Sequence, residues 1–370
     1  MCKKINTNGT LQLVGDYGVY SNGLMIQISL PKKASILYDE NQKAFTVEFD
    51  LNNNLDAEEF YGKEGKREIE SRLCKKMRRI IEYFRLGIEI QHIKFITEFP
   101  IGVNIEENVV YLLLKGFMQW SDQVELCQKV LSYEYNNTRK NSSYLYLLSP
   151  FMEENVPFFI FKRETPRLIT WAKFSRENFP PSRAIVRDWL DNTIPLRPKF
   201  FDDNEVDSNE RKHVDIMIVS RPKSPLRWFN PSIGEAVSEI SNNYWFLFEN
   251  LGRMMERVGN IIATLEGKWD EGLWRELGRL LTAYHFTTNV FGRTDCVSNQ
   301  LIGELLKNEF FCGGKSVGGG PGGTVILLYM FKPEEREVIL KKLVEIVIRY
   351  GYCIVCDGIF GDNLVMQKER

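Results

Sequence analysis

The feature that most constrains this chain is a glycine-rich segment near its carboxy terminus. The segment reads Gly313-Gly-Lys-Ser-Val-Gly-Gly-Gly-Pro-Gly-Gly323, and seven of its eleven residues are glycine. Glycine adopts positive φ without strain and allows backbone N–H groups to approach an anion closely. A simple hairpin turn needs only about two or three glycines, so this density favours a binding function over a plain turn. We therefore predict that the segment binds an anion.

The surroundings of this segment exclude two common phosphate-binding motifs. An apolar stretch near Phe311 precedes the segment and an apolar run at residues 324–331 follows it, so the segment is predicted to join two strands. A Walker A loop places Gly-Lys-Ser/Thr at the start of a helix, and a dinucleotide-binding fingerprint also leads into a helix. Neither motif fits a segment that is followed by a strand.

The second half of the chain has a regular order of predicted elements. Pro333 and the two glutamates after it indicate the first turn of a helix, where proline and carboxylates are both favoured. The predicted elements are a strand at 214–219, a helical region from 232 to about 306, a short strand near 311, a strand at 324–331, a helix from 333 and a strand at 352–355. This β-α-β-β-α-β order is typical of the ferredoxin-like, split βαβ arrangement.

The first half is predicted to form a separate α+β domain. Its predicted elements are strands and turns in the first 60 residues, a helix at about 64–86, a strand at 93–96, a loop at 100–104, two helical stretches to about 135, and strands at 144–148 and 157–161. Residues 176–212 are rich in proline, asparagine and charge, which indicates a junction. We therefore predict an α+β protein with one domain at residues 1–204 and another at residues 205–370.

The composition of the chain limits which binding partners and which cellular compartment it is expected to have. Lysine and arginine number 48 and aspartate and glutamate 49, so the chain lacks the charge excess typical of nucleic-acid or membrane binding. The start lacks the apolar core of a signal peptide, and no stretch reaches the roughly 18 apolar residues of a membrane span. The seven cysteines include one CxxC pair, Cys353 and Cys356, which we interpret as ordinary buried thiols in a reducing compartment. We predict a cytoplasmic protein with no nucleic acid and no membrane as partner.

The glycine-rich segment resembles the third conserved motif of the GHMP kinases, which phosphorylate small molecules. That motif is roughly G-A-K-x-x-G-A-G-G-G-G. Gly314 stands where the motif has a small residue, and Pro321 departs from the motif. The positions that match it are Gly313, Lys315, Gly318, Gly320, Gly322 and Gly323. Leu277-Gly-Arg-Leu-Leu-Thr-Ala-Tyr-His285 is similar to the family's G-x-L-M-N-x-x-H helix, and Val297-Ser-Asn-Gln is similar to its V-S-x-P helix start. The run at residues 327–337 resembles the sugar-1-kinase branch. The resemblance covers residues 270–370 well and implies the two-domain GHMP kinase fold.

The amino-terminal half matches the family more thinly. The family's first motif, roughly G-E-H-x-D-Y-x-G-G, contacts substrate hydroxyls, and the stretch G-D-Y-G-V-Y-S-N-G at residues 15–23 lies in its place. Gly15, Tyr20 and Gly23 match the motif, and Asp16 replaces its glutamate. Val19 stands where the family has an aspartate, and valine cannot accept a hydrogen bond from a hydroxyl. The resemblance implies that Gly15, Asp16 and Tyr20 bind the substrate.

The family's phosphate loop is degenerate in this chain. The motif P-x-G-x-G-L-G-S-S-S-A holds ATP phosphates at a helix N-terminus, and the stretch P-I-G-V-N-I-E-E-N at residues 100–108 lies in its place. Gly102 keeps a glycine of the motif. Asn104 stands where the motif has a glycine, and Asn108 stands where it has a serine. Glu106 and Glu107 would repel a triphosphate at about 4–5 Å by several kcal/mol. We expect that ATP, if bound, is not held in the family's usual way.

The family's catalytic aspartate has no counterpart at its expected place. Residues 141–149, beyond the second helix after the phosphate loop, contain no carboxylate. Asp122 precedes a predicted helix and is more simply interpreted as its cap. The three histidines, His92, His213 and His285, are too far apart in the sequence to predict a metal site. His285 is expected to have a packing role. The catalytic residue is therefore unknown, and no metal ligand is predicted.

The resemblance leaves two functions open. The first is an ATP-dependent kinase of a sugar or sugar-like alcohol, with ATP and Mg²⁺ as cofactors. Its phosphate-binding residues would be Lys315, Ser316, Gly318, Gly319, Gly320, Gly322 and Gly323. The second is a catalytically inactive GHMP-fold protein without cofactors, which senses a ligand or binds a protein partner. The retained third motif favours the kinase, and the altered first and second motifs favour the inactive protein.

Overall fold

The computed structural model describes the chain in separate stretches and divides it into two compact units. The described stretches are residues 2–15, 25–50, 57–98, 105–138, 150–151, 158–161, 182–191, 193–202, 211–221, 245–290, 294–317 and 323–357. The first unit comprises Met1–Leu11, Gln27–Asn155 and Phe161–Ile194, and the second comprises Gln12–Ile26, Val156–Ile160 and Pro195–Arg370. No helix in the described stretches is long and apolar enough to cross a membrane.

A six-stranded mixed sheet is built from the described strands of the first half. These strands are β1 (Cys2–Val14), β2 (Met25–Asp39), β3 (Thr46–Phe49), β4 (Ile93–Thr97), β5 (Phe158–Phe161) and β6 (Thr193–Leu196). They lie in the order β3-β4-β2-β5-β6, and β1 pairs with β2. β2 runs antiparallel to β4, and β3 runs parallel to it. Every second residue of β4 is buried, which gives this strand one core-facing side.

The described helices of the first half pack through apolar stripes. They are α1 (Ala57–Phe84), α2 (Ile105–Phe117), α3 (Gln123–Thr138) and α4 (Arg183–Asp191). The predicted stripe of α1 is buried from Ile69 to Ile80, and α1 packs against α2. α1 begins earlier than predicted because two helical pieces meet at Gly62, which has φ 72° and ψ 158°. Lys76 of α1 pairs with buried Glu134 of α3 at 2.9 Å.

A four-stranded antiparallel sheet is built from the described strands of the second half. These are β7 (His213–Ser220), β8 (Phe311–Val317), β9 (Thr324–Phe331) and β10 (Cys353–Cys356). The described helices here are α5 (Trp245–Gly267), α6 (Glu271–Asn289), α7 (Cys296–Leu305) and α8 (Arg336–Arg349). The strand order β10-β7-β9-β8 is that of the split βαβ arrangement, with additional helices before β8. The predicted α+β fold class is therefore confirmed.

The main core of this part of the chain lies between the sheet and two of its helices. Buried residues of β7 and β9, such as Met217 and Leu327, pack with Leu301 of α7 and with Leu343 and Val347 of α8. Every residue of β9 is buried. A strand that is covered on both faces reads as a continuous apolar run instead of an alternating one.

Strand β8 extends further than the sequence predicted. The apolar stretch near Phe311 predicted a short strand, with the glycines outside it. In the structure β8 continues to Val317, so Gly313 and Gly314 lie within a strand. Glycine inside a strand often marks a close approach of another backbone, and such an approach is present here.

Candidate functional site

Helix α6 lies directly against the outer edge of β8, and two glycines make this approach possible. A Cβ atom on Gly278 of α6 would lie 2.2 Å from the carbonyl oxygen of Cys312. A Cβ atom on Gly313 of β8 would lie 1.9 Å from the carbonyl oxygen of Gly278. Both distances are far shorter than van der Waals contact. The atoms that would be met belong to the backbone, so they cannot move away as a flexible side chain could. Both positions therefore require glycine.

Two side chains of α6 bind the strand edge that the glycines bring within reach. The backbone N–H of Gly314 donates to Oγ1 of Thr282 at 3.1 Å. The backbone N–H of Ser316 donates to Nδ1 of His285 at 3.1 Å. Gly278, Thr282 and His285 are spaced four and three residues apart, so they share one face of the helix. In this chain the residues that resemble the G-x-L-M-N-x-x-H motif thus hold strand β8.

His285 is a fully buried residue whose two ring nitrogens both form hydrogen bonds. Because Nδ1 accepts from Ser316, the proton of the neutral ring lies on Nε2, which donates to Oδ1 of Asn299 at 2.8 Å. Burial lowers the pKa of His285 to about 4, the bond to Asn299 opposes this shift, and the positive charge of Lys315 adds to it. His285 is therefore neutral at pH 7, and its contacts agree with the predicted packing role.

Lys315 lies within β8, and its side chain is almost completely buried, with 1% exposed. Its ammonium donates to the carbonyl oxygen of Gln12 at 3.3 Å. It also lies 5.0 Å from the centre of the Tyr284 ring, within the range of a cation–π contact. Gln12 belongs to the end of β1, just before Gly15, where the first motif begins. Lys315 thus connects the strand that carries the third motif to the strand that leads into the first.

The structure describes both ends of the glycine-rich segment. Near its start, Ser316 is buried, and within the described part of the chain its Oγ has no hydrogen-bond partner. At its end, Gly323 has φ +97°, a conformation that favours glycine. The carbonyl oxygen of Gly323 accepts from the backbone N–H of Arg221 at 2.9 Å. The predicted residues Gly318, Gly319, Gly320 and Gly322 lie outside the described residues.

An ion pair that the sequence did not predict lies beside the end of this segment. The guanidinium of Arg221 pairs with Asp295, whose side chain is 10% exposed against 26% for the arginine. Asp295 is also the N-cap of α7, because its Oδ1 accepts from the backbone N–H of Ser298 at 2.7 Å. The Arg221 guanidinium lies 5.6 Å from the centre of the Tyr352 ring. The Asp-x-x-Ser spacing could have indicated the cap, but nothing in the sequence indicated the arginine.

The predicted residues of the first two motifs are only partly described. Gly15 has φ +110°, whereas Asp16 and Tyr20 lie outside the described residues. Gly102 and Asn104 also lie outside them. Asn108 lies in the first turns of α2 with 1% of its surface exposed, and its Nδ2 has no hydrogen-bond partner in the described part of the chain. A buried amide donor at a helix N-terminus is chemically suited to an anion.

Asp122 is a helix cap, as its sequence context predicted. Its Oδ1 accepts from the backbone N–H of Glu125 at 2.8 Å at the start of α3. The other oxygen pairs with Arg183 of α4. The backbone hydrogen bond and the nearby arginines lower the pKa of Asp122 below its ordinary value. A carboxylate stabilised in this way is a weak base, so the structural role accounts for it.

No metal centre is evident from the geometry of the described residues. Within the described stretches, no three side chains of histidine, cysteine, aspartate or glutamate come together in a way that could hold a metal ion.

Comparison with known proteins shows similarity in structure without similarity in sequence. No protein-family sequence model matches the chain, and no curated protein matches it in sequence. The structure is similar to phosphomevalonate kinase from Streptococcus pneumoniae in complex with phosphomevalonate and AMPPNP, with a TM-score of 0.58, 12% identity, and coverage of 96% of this chain and 99% of that one.

Two further solved structures have comparable similarity. Galactokinase from Lactococcus lactis, complexed with galactose, has a TM-score of 0.58 and 16% identity over 95% of this chain and 92% of that one. Mevalonate kinase from Methanococcus jannaschii has a TM-score of 0.57 and 16% identity over 96% of this chain and 98% of that one. At these identities the similarity establishes a shared fold along nearly the full length of each chain.

Proposed function

Because the chain has the two-domain fold of the GHMP kinases, we propose that it is an ATP-dependent kinase that phosphorylates a sugar or sugar-like alcohol. The observation that carries this proposal is the similarity in fold, over more than 90% of every chain compared, to three kinases of small molecules. Fold alone does not determine function. The hydrogen bonds of Gly314 and Ser316 to α6 support the proposal, because they join two segments that resemble family motifs.

The glycine-rich segment would bind the phosphates of the nucleotide. Backbone N–H groups of Gly318, Gly319, Gly320, Gly322 and Gly323 would donate to phosphate oxygens, with Ser316 Oγ as a further donor. Lys315 would contribute positive charge from its buried position. Phosphoryl transfer requires mainly positioning and charge stabilisation, and such groups can provide both.

The start of α2 carries one further donor suited to a phosphate, beside the two glutamates that would oppose an anion. The buried Nδ2 of Asn108, which has no partner among the described residues, is a donor suited to a phosphate oxygen, and Gly102 and Asn104 precede it. Mg²⁺ usually binds through one or two carboxylates together with substrate phosphates. It would therefore enter the site already bound to ATP. When bound, it would neutralise charge on the transferred phosphoryl group.

The acceptor molecule would bind near the first motif. The Asp16 carboxylate accepts hydrogen bonds from hydroxyls, and the Tyr20 hydroxyl both donates and accepts them. Gly15, with its positive φ, lets the chain turn at the end of β1. A polyhydroxylated substrate fits these side chains.

The alternative function is a catalytically inactive GHMP-fold protein that senses a ligand or binds a protein partner. Three features of the sequence favour it: Val19 in place of a substrate carboxylate, glutamates in place of phosphate-loop residues, and no carboxylate at residues 141–149. In this case the chain would bind a sugar-like ligand or a partner without transferring phosphate.

A binding experiment separates the two functions. Isothermal titration with ATP, with and without Mg²⁺, should detect nucleotide binding if the kinase proposal is right. The same titration with a panel of sugars and sugar alcohols measures the acceptor site. Sugar binding without any nucleotide binding would favour the inactive alternative.

We also propose a cytoplasmic location and a domain division near residue 204. The location is supported by the cysteines, all seven of which are free thiols. Limited proteolysis tests the division, since a linker between domains is cleaved first and would give fragments of residues 1–204 and 205–370.

A further inference from the structure

The first turn of helix α7 is linked to both ends of the glycine-rich segment. Asp295 caps this helix, and Asn299 follows four residues later, so both side chains lie at the start of the helix. Asn299 contacts His285, and Asp295 contacts Arg221. Each contact continues to the backbone of the glycine-rich segment.

The link to the start of the segment is a chain of two hydrogen bonds. Nε2 of His285 donates to Oδ1 of Asn299 at 2.8 Å, and Nδ1 of the same ring accepts from the N–H of Ser316 at 3.1 Å. The imidazole is fully buried, so a lost bond would leave a buried polar group without a partner, which is costly. Ser316 is thereby fixed relative to α7 two residues before Gly318.

The link to the end of the segment is an ion pair and a backbone hydrogen bond. Asp295 pairs with the Arg221 guanidinium, and the Arg221 N–H donates to the carbonyl oxygen of Gly323. Both charged side chains are largely shielded from solvent, so the pair is less screened than one on the surface. Gly323 is thereby fixed relative to the same helical turn.

We propose that Asp295 and Asn299 are positioning residues, which hold the two ends of the glycine-rich segment at a fixed separation. The inference rests on the proposed function in one respect, namely that the segment binds a phosphate-bearing ligand. A cradle of backbone N–H groups binds an anion well only if those groups are already aligned. One short, capped helical turn is linked to Ser316 and to Gly323, the described residues on either side of this cradle.

A simpler account would make Asp295 only a helix cap. Asparagine caps a helix about as well as aspartate, so Asp295→Asn keeps the cap and removes the charge that pairs with Arg221. Asn299→Ala removes the acceptor for His285, and Asn299→Asp retains it. These variants separate positioning from simple helix stability.

Hydrogen exchange measured by mass spectrometry on the full-length protein, without ligand, tests the links directly. We expect Asn299→Ala to make exchange in residues 311–317 about tenfold faster, because the bond that holds the Ser316 amide is weakened. We expect Asp295→Asn to have a similar effect at the Arg221 amide in residues 213–221. Asn299→Asp should restore slow exchange at the start of the segment.

Asp270→Asn provides the matched control. Asp270 is the N-cap of α6, accepts from the Leu273 N–H at 3.0 Å and pairs with Lys268, so the same chemical change is made at another helix start. This variant should leave exchange near Ser316 and Arg221 unchanged. Unchanged exchange in Asp295→Asn and Asn299→Ala, or equal acceleration across all of α7 and the sheet, would overturn the proposal.

A nucleotide titration then distinguishes failure of this inference from failure of the proposed function. If wild type binds magnesium–ATP, Asp295→Asn and Asn299→Ala should each raise Kd about tenfold, and Asp270→Asn should not. Equal Kd values in all four proteins would overturn the positioning role while the kinase proposal stands. If wild type binds no nucleotide but exchange changes locally as expected, the links are supported and the proposed ligand is wrong.

Discussion

At the scale of single residues, the buried imidazole of His285 links three parts of the second unit. Its two nitrogens bind Ser316 of β8 and Asn299 of α7, while its own backbone belongs to α6. Both bonds require the neutral ring with the proton on Nε2. Protonation would turn Nδ1 from an acceptor into a donor that faces another N–H group, and would add a second positive charge near Lys315.

The titration of His285 gives a prediction about pH. A histidine in the unfolded chain titrates near pH 6.5, and burial lowers the pKa of His285 to about 4 in the folded protein. Between these values the unfolded chain binds more protons, so stability falls as the pH drops from 6.5 to 4, by at most about 3 kcal/mol. Above pH 6.5 this contribution is constant.

His285→Gln tests this prediction, because glutamine does not titrate. Urea unfolding of wild type and variant at pH 7 and pH 4 should show that the stability advantage of wild type shrinks at the lower pH. An advantage that is the same at both pH values would mean that His285 does not titrate as described.

The close approach of Gly278 to Cys312 gives a prediction about packing. Gly278→Ala would place a methyl group 2.2 Å from a backbone carbonyl oxygen, so the helix must shift away from β8. We expect a loss of about 1–3 kcal/mol in unfolding free energy. Gly303→Ala in α7 is the matched control, since a Cβ there meets nothing within 4 Å. Alanine should instead stabilise that helix by about 0.5–1 kcal/mol, and equal effects of the two substitutions in chemical denaturation would contradict the prediction.

At the scale of elements, the local signals in the sequence predict most of the second sheet. The apolar run at 214–219 predicted β7, which is His213–Ser220, and the run at 324–331 predicted β9 at its exact bounds. The full extent of β8 could not be predicted. Its outer edge is held by Thr282 and His285, more than thirty positions earlier in the chain, and such a contact leaves no local pattern.

The candidate site was predictable only where glycine density or a family motif carried a signal. Gly313 and Lys315 were found in this way, and the structure adds that the first permits close packing of α6 while the second is buried against the end of β1. Arg221 and Asp295 are 74 residues apart, and a salt bridge between distant residues has no signature in a single sequence. The sequence therefore predicted the segment but not the residues that hold its ends.

The start of α2 gives a prediction about charge. Glu106 and Glu107 belong to the first turn of this helix. Carboxylates there stabilise the helix by about 0.3–1 kcal/mol each through its dipole. The same charges repel a bound triphosphate. We therefore expect wild type to bind magnesium–ATP with a Kd on the order of 1 mM or weaker. The double change Glu106→Ser and Glu107→Ser should tighten binding measurably, since each removed charge relieves about 1 kcal/mol of repulsion.

Isothermal titration of both proteins checks this prediction. Thermal unfolding serves as its control, because the double variant should be slightly less stable while binding more tightly. Micromolar binding by wild type would show that the glutamates do not oppose the nucleotide.

At the scale of the whole molecule, the chain keeps the order and extent of the GHMP fold although identity to similar structures is only 12–16%. Apolar patterning and a few close backbone approaches determine such a fold, and many different side chains satisfy these requirements. Function depends on fewer positions, and several of those differ here from the family's motifs. Activity must therefore be tested by a direct assay of phosphate transfer.

The most direct test is transfer of phosphate from magnesium–ATP, labelled at the γ-phosphate, to a panel of sugars and sugar alcohols. The nucleotide should be present at several times the Kd of about 1 mM. We predict that wild type forms a labelled sugar phosphate. Gly320→Val should remain folded and lose the activity, because a side chain would obstruct the approach of the anion to the backbone. A folded wild-type protein that is saturated with nucleotide and transfers no label to any acceptor would contradict the kinase proposal and favour the inactive GHMP-fold alternative.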